Sequence, residues 1–167
     1  PNYGTRLYRF GLLSDVHNRK NSITQDDTDF QNALNIFNNK ESVNFTCICG
    51  DITQDATVSE FQNYKSNVYN YSPNTPVYTT TGNHDAQSSL DNDMWFEYTN
   101  CERCMSFEYN NDLFVFFGMS KWSLGSAGTP YLTEDIDWLE SILNQNQNKR
   151  VFIFTHLFFP TKAGNFN

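Results

Sequence analysis

Gly82-Asn83-His84-Asp85 sets an amide oxygen, an imidazole and a carboxylate side by side, directly after the β-branched run Val77-Tyr78-Thr79-Thr80-Thr81. Oxygen and nitrogen donors of this kind suit divalent metals and phosphoryl groups, and the glycine lets the backbone turn sharply off a strand. The arrangement recurs twice earlier in the chain. The apolar end of residues 6–13 runs into Ser14-Asp15-Val16-His17, and residues 45–49 empty into Gly50-Asp51-Ile52-Thr53-Gln54. In extended backbone, residues two apart point the same way, so Asp15 and His17 are expected to aim at one point with Val16 toward the core. A fourth group, His156, follows the apolar stretch 150–155. Each of these alone also reads as a turn or as a structural histidine. Their repetition at strand ends is what selects a functional site.

The elements between them set the geometry. Residues 29–39 carry Phe30, Ala33, Leu34 and Phe37 at amphipathic-helix spacing, with Asp26, Asp27 and Asp29 as helix-start residues. Residues 57–71 form a second helix, capped by Thr57 or Ser59, with Val58, Phe61, Tyr64 or Lys65, and Val68 on one face. Ser72-Pro73-Asn74-Thr75-Pro76 stops it. Strand, helix, strand, helix, strand demands a parallel sheet, and ligands of such sheets bind outside the carboxyl ends of the strands. Asp15, His17, Asp51, Asn83, His84 and Asp85 are then neighbours in space.

Downstream, residues 89–98 read as a short helix with Leu90, Met94 and Trp95 inward. Residues 105–109 and 113–119 read as a hairpin turning at Asn110-Asn111-Asp112, which implies a mixed sheet or a second sheet. Residues 121–130 form a Gly/Ser-rich loop in which Trp122 either contacts substrate or folds back on the core. Thr133 is expected to cap a helix to about residue 144 with Ile136, Leu139 and Leu143 inward, and 150–155 to be a buried strand. The fold class is α/β: mixed sheets in a sandwich flanked by helices.

The 167 residues fit one domain with a sizeable core. A net charge of −8 argues against nucleic acid as partner, since phosphate neutralisation needs clustered Lys and Arg. No apolar run is long enough to span a bilayer; the longest, 151–160, is broken by His156. A soluble protein is expected, with its compartment open and the cytoplasm slightly favoured. The start at Pro1 leaves room for a trimmed segment, and the sequons Asn44-Phe45-Thr46 and Asn70-Tyr71-Ser72 arise easily by chance in an Asn-rich chain. Cys47 and Cys49 read as small strand hydrophobes, and Cys101 and Cys104 as loop thiols, unpaired or locally bridged, more than as half a zinc site.

In order, spacing and strand-end placement, Asp15-x-His17, Gly50-Asp51, Gly82-Asn83-His84-Asp85 and His156 together resemble the calcineurin-like metallophosphoesterase superfamily. The helix with Asp137-Trp138-Leu139 before the last strand is similar too. The resemblance runs from about Leu7 to Pro160. It implies two divalent metals (Mn, Fe, Zn or Ni), one on Asp15 and His17, the other on Asn83 and His156, with Asp51 bridging both. His84 would serve the leaving group and Asp85 would orient it. The implied reaction is hydrolysis of a small phosphomonoester or phosphodiester by a hydroxide held between the metals; the alternative is a degenerate, non-catalytic domain acting as scaffold or phosphate-binding module. The family closes its site with Gly-His-x-His, whereas this sequence has three histidines, His17, His84 and His156. The expectation is therefore a C-terminally truncated fragment or a weakly binding variant.

Overall fold

A computed structural model describes residues 7–19, 25–87, 92–119 and 131–157. Within them, two three-stranded sheets face each other. The first orders β1 (Phe10–Leu13), β2 (Phe45–Ile48) and β3 (Val77–Thr79), all parallel, with Phe10 opposite Phe45 and Thr46 opposite Val77. Their connections are α1 (Gln25–Asn35), prolonged by a π-helical turn over Ile36–Lys40, and α2 (Val58–Tyr71). After α3 (Asn92–Thr99), the second sheet opens with an antiparallel pair, β4 (Cys104–Tyr109) and β5 (Asp112–Phe117). Then α4 (Thr133–Gln145) leads to β6 (Arg150–Phe154), which lies parallel to β5.

The β4–β5 turn is tighter than expected. Asn110 and Asn111 adopt φ of 49° and 67°, the left-handed pair that a two-residue turn needs, and Asp112 already pairs with Tyr109.

Between the sheets lies an aromatic core. Phe45, Cys47, Phe114, Phe116 and Phe154 are buried there, with Phe10, Tyr78, Phe107 and Phe152 against them. Rings interlock edge-on and stacked, as in Phe45–Phe114 at 4.9 Å and Phe114–Phe152 at 5.0 Å between centroids. On the outer face of the first sheet, α1, α2 and α3 pack Phe30, Leu34, Phe61, Tyr64 and Trp95 over Ile48 and Ile52. On the outer face of the second, α4 contributes Leu139, Trp138 and Ile142. The order of layers is helices, sheet, sheet, helix.

Several expected faces shift by a residue or so. Val58 and Ile136 are exposed. Val58 is the first residue of α2, whose buried side is Glu60, Phe61, Tyr64 and Asn67. On α4 the stripe against the sheet is Trp138, Leu139, Ile142 and Leu143, so Leu139 and Leu143 face inward as expected and Ile136 lies off it. Leu132, not Thr133, takes the N-cap position of α4, its N–H donating to Asp135 Oδ2 at 3.1 Å. Strand β6 pairs on one side only among the described residues, and Ile153 is partly open. All four cysteines are free thiols, so the bridged alternative for Cys101 and Cys104 does not hold. Burial pushes both thiols up to about 11. Leu90 and the 121–130 loop with Trp122 lie outside the described residues.

Candidate metal centre

Parallel pairing of β1, β2 and β3 brings their carboxyl ends together. The chain leaves β1 and β2 through left-handed residues: Asp15 (φ 55°), His17 (φ 39°), Gly50 (φ 78°) and Asp51 (φ 51°). Asp15 and His17 are therefore not extended, and their convergence has another origin than strand alternation. Backbone bonds from Asp15 to Gly50 (3.2 Å) and from His17 to Asp51 (3.0 Å) lock the two loops together, turn by turn. Non-glycine residues held left-handed cost about 1–2 kcal/mol each, and such conformations concentrate where function needs them.

Asp51 is the centre. Its carboxyl is buried, and its Oδ1 accepts the backbone N–H of His84 at 2.8 Å. Its Oδ2 lies 3.2 Å from His156 Nε2 and 3.8 Å from His17 Nε2. His17 Nε2 is also 3.8 Å from Asp15 Oδ1. The two 3.8 Å spacings are beyond hydrogen bonding and the 3.2 Å one is within it; all are close to the ~3–3.5 Å separating ligand atoms around one ion with bonds near 2.1 Å. Two groups of donors result, His17, Asp51, His84 and Asp15, Asp51, His156, each with atoms within 4.8 Å of one another. Asp51 belongs to both. The resemblance pairs Asp15 with His17 instead; with all these atoms gathered around one carboxylate, proximity is compatible with either division.

His156 arrives from the other sheet, just past β6. Its Nδ1 donates to Cys49 O at 2.8 Å and its Nε2 faces Asn83 Oδ1 at 3.0 Å. Burial works against its charge, yet the Asp51 carboxylate and the Cys49 carbonyl outweigh it and push the imidazole up to about 9. Burial also works against the charge of Asp51, but His156 and the His84 N–H hold that carboxyl below its usual range. Two glycines make this closeness feasible. A Cβ on Gly82 would collide with the Asp51 carboxylate, and one on Gly50 would come within 2.8 Å of His156 Cβ.

The Asp85 carboxylate makes no hydrogen bond to the His84 ring. Buried at the start of the Asp85–Gln87 turn, it accepts the N–H groups of Gly82 (2.9 Å), Ile52 (3.2 Å) and Thr53 (2.9 Å) and the Thr53 hydroxyl (2.8 Å). Burial, partly offset by these bonds, raises its carboxyl to about 6. Three backbone N–H groups and a hydroxyl, from two loops, outcompete one ring nitrogen, so Asp85 clamps the Asp51 loop to the Gly82 loop. The ring of His84 is oriented by Gln54, whose carbonyl accepts from Nδ1 at 2.6 Å, and it meets the His17 ring edge-on at 4.9 Å. Gln54, Thr53 and the buried Asn18 carry no spacing signal that sequence reading could use; Asn18 was visible only as the residue after His17.

The donor set fits divalent metals: two imidazoles, two carboxylates and an amide oxygen converge, backed by glycines that leave no room for another side chain. A family model described as calcineurin-like phosphoesterase matches residues 8–166. A probable glycerophosphodiester phosphodiesterase GpdQ of Arcobacter nitrofigilis is 28% identical over 162 residues, which are 91% of this chain and 57% of that protein. The chain thus spans little more than half the length of that curated relative. A solved protein of unknown function from Aquifex aeolicus superposes with a TM-score of 0.46 at 15% identity, covering 92% of this chain and 81% of that one. With the family match running through every strand end that carries a candidate ligand, the chain belongs to the calcineurin-like phosphoesterase family.

Proposed function

We propose that this chain is a metal-dependent phosphoesterase that holds two divalent ions, Mn, Fe, Zn or Ni, and hydrolyses a small phosphodiester or phosphomonoester. The observation that carries the reading is the buried Asp51 carboxylate, common to both donor groups. When bound, a pair of such ions acidifies water and neutralises the charge that builds on a transferring phosphoryl group. Asp51 would lie between the ions, Asp15 and His17 on one side, Asn83 and His156 on the other. His156, whose imidazole the Asp51 carboxylate and the Cys49 carbonyl push up to about 9, would release its Nε2 proton to solvent on becoming a ligand. Because Nδ1 of His84 is spent on the Gln54 carbonyl, its Nε2 is the atom that holds or hands over a proton at the leaving oxygen. The name of the Arcobacter relative supports a diester as the first substrate to try.

Elemental analysis of the purified chain is expected to find about two equivalents of metal, lost in Asp51→Ala, and added Mn²⁺ to support hydrolysis of bis(p-nitrophenyl) phosphate or p-nitrophenyl phosphate. The absence of both uptake and turnover would sink the proposal; uptake without turnover toward either ester would favour the phosphate-binding module.

A further inference from the structure

We infer that Asn67, a residue of helix α2 outside the metal centre, is a positioning residue that sets where the His17 and Asp51 loops stand relative to each other; this rests on the metal-binding reading above. A directed relay of amides carries the effect. Gln31 Nε2 on α1 donates to Asn67 Oδ1 at 3.0 Å, and Asn67 Nδ2 donates to Asn18 Oδ1 at 2.8 Å. Asn18 Nδ2 in turn donates to the Ile52 carbonyl at 2.9 Å. That carbonyl also takes the Asn18 N–H at 2.9 Å, and the Asn18 carbonyl takes the Gln54 N–H at 3.2 Å.

Asn18 follows His17 and Ile52 follows Asp51, so the relay ties together the residues that come directly after those two candidates. Its direction cannot be reversed, because the Ile52 carbonyl only accepts. Asn67 must therefore donate to Asn18. Both asparagines are buried, at 0% exposure for Asn18 and 4% for Asn67. A buried hydrogen bond of this sort returns only a modest net stability, whereas a fully satisfied buried network fixes one geometry. Fixed geometry is what a site assembled from separate loops requires.

Two variants separate positioning from mere stability. Asn67→Asp keeps the acceptor used by Gln31 but has no N–H for Asn18; Gln31→Ala removes the outer bond and leaves the inner one. Full-length wild type and variants are titrated with Co²⁺ by calorimetry and visible absorption, and amide exchange of Asn18 and Gln54 is followed without metal. In N67D the Co²⁺ dissociation constant is expected to rise about tenfold, with an altered ligand-field band and faster exchange at both amides. In Q31A all three should stay at wild-type values even at a comparable loss of Tm. Asn67→Ser, whose hydroxyl falls short of Asn18, is expected to act as N67D does and serves if N67D fails to fold. Equal changes in both variants, or none in N67D, overturn the inference. If wild type takes up no Co²⁺, the metal reading falls, and exchange alone decides positioning: protection lost in N67D and kept in Q31A upholds it, any other pattern overturns it.

Discussion

At the scale of single residues, Asp51 and Gly82 are the most exposed to test. Asp51 touches both donor groups and His84 does not bridge them, so Asp51→Ala should abolish metal binding more fully than His84→Ala; equal losses in calorimetric titration would contradict that division of roles. Gly82→Ala drives a methyl into the Asp51 carboxylate and backbone. It is expected to cost about 1–3 kcal/mol in urea unfolding, as overpacking does, together with the loss of metal uptake. Unchanged stability would mean that the loops can part freely. The candidate donors at the strand ends were legible because their placement repeats. The partners that aim them were not. Asp85 reads from sequence as a carboxylate beside a histidine, and only the folded chain shows that three backbone N–H groups and a hydroxyl claim it first.

At the scale of elements, the helix and strand order was readable from periodicity and turn residues, and the second sheet was one of two outcomes implied by the hairpin. What periodicity could not give was the rotation of helices such as α4, nor the left-handed turns that follow β1 and β2, since both depend on packing across elements. Strands β5 and β6 are joined at one end by Asp112 and Arg150, with Tyr8 from ahead of β1 donating to the same carboxylate. Arg150, then Tyr8, hold the Asp112 carboxyl below its usual value of 3.8. A folded value below the unfolded one means that the contribution is fully present above that usual value and is lost as pH falls through the folded value. Arg150→Met should therefore lower the urea midpoint at pH 5 to 7, and the gap from wild type should close progressively below about pH 4. A gap that widens in acid would contradict the assignment.

At the scale of the whole molecule, the inter-sheet core is the common support of fold and site. Phe114 is fully buried and packs against Phe45, Phe107 and Phe152. Phe114→Ala is expected to cost about 3–5 kcal/mol in chemical denaturation, the range for deleting a buried ring, and to weaken metal binding as well, because His156 reaches Asp51 only while the sheets stay docked. A stability loss without any effect on metal would separate the two. The docking also has a meaning in time. His156 bonds to Cys49, 107 positions earlier, and to Asn83, 73 positions earlier. A ribosome emits Asp15, Asp51 and Asn83 long before His156, so the nascent chain carries an acidic cradle that lacks His156 until β6 has emerged.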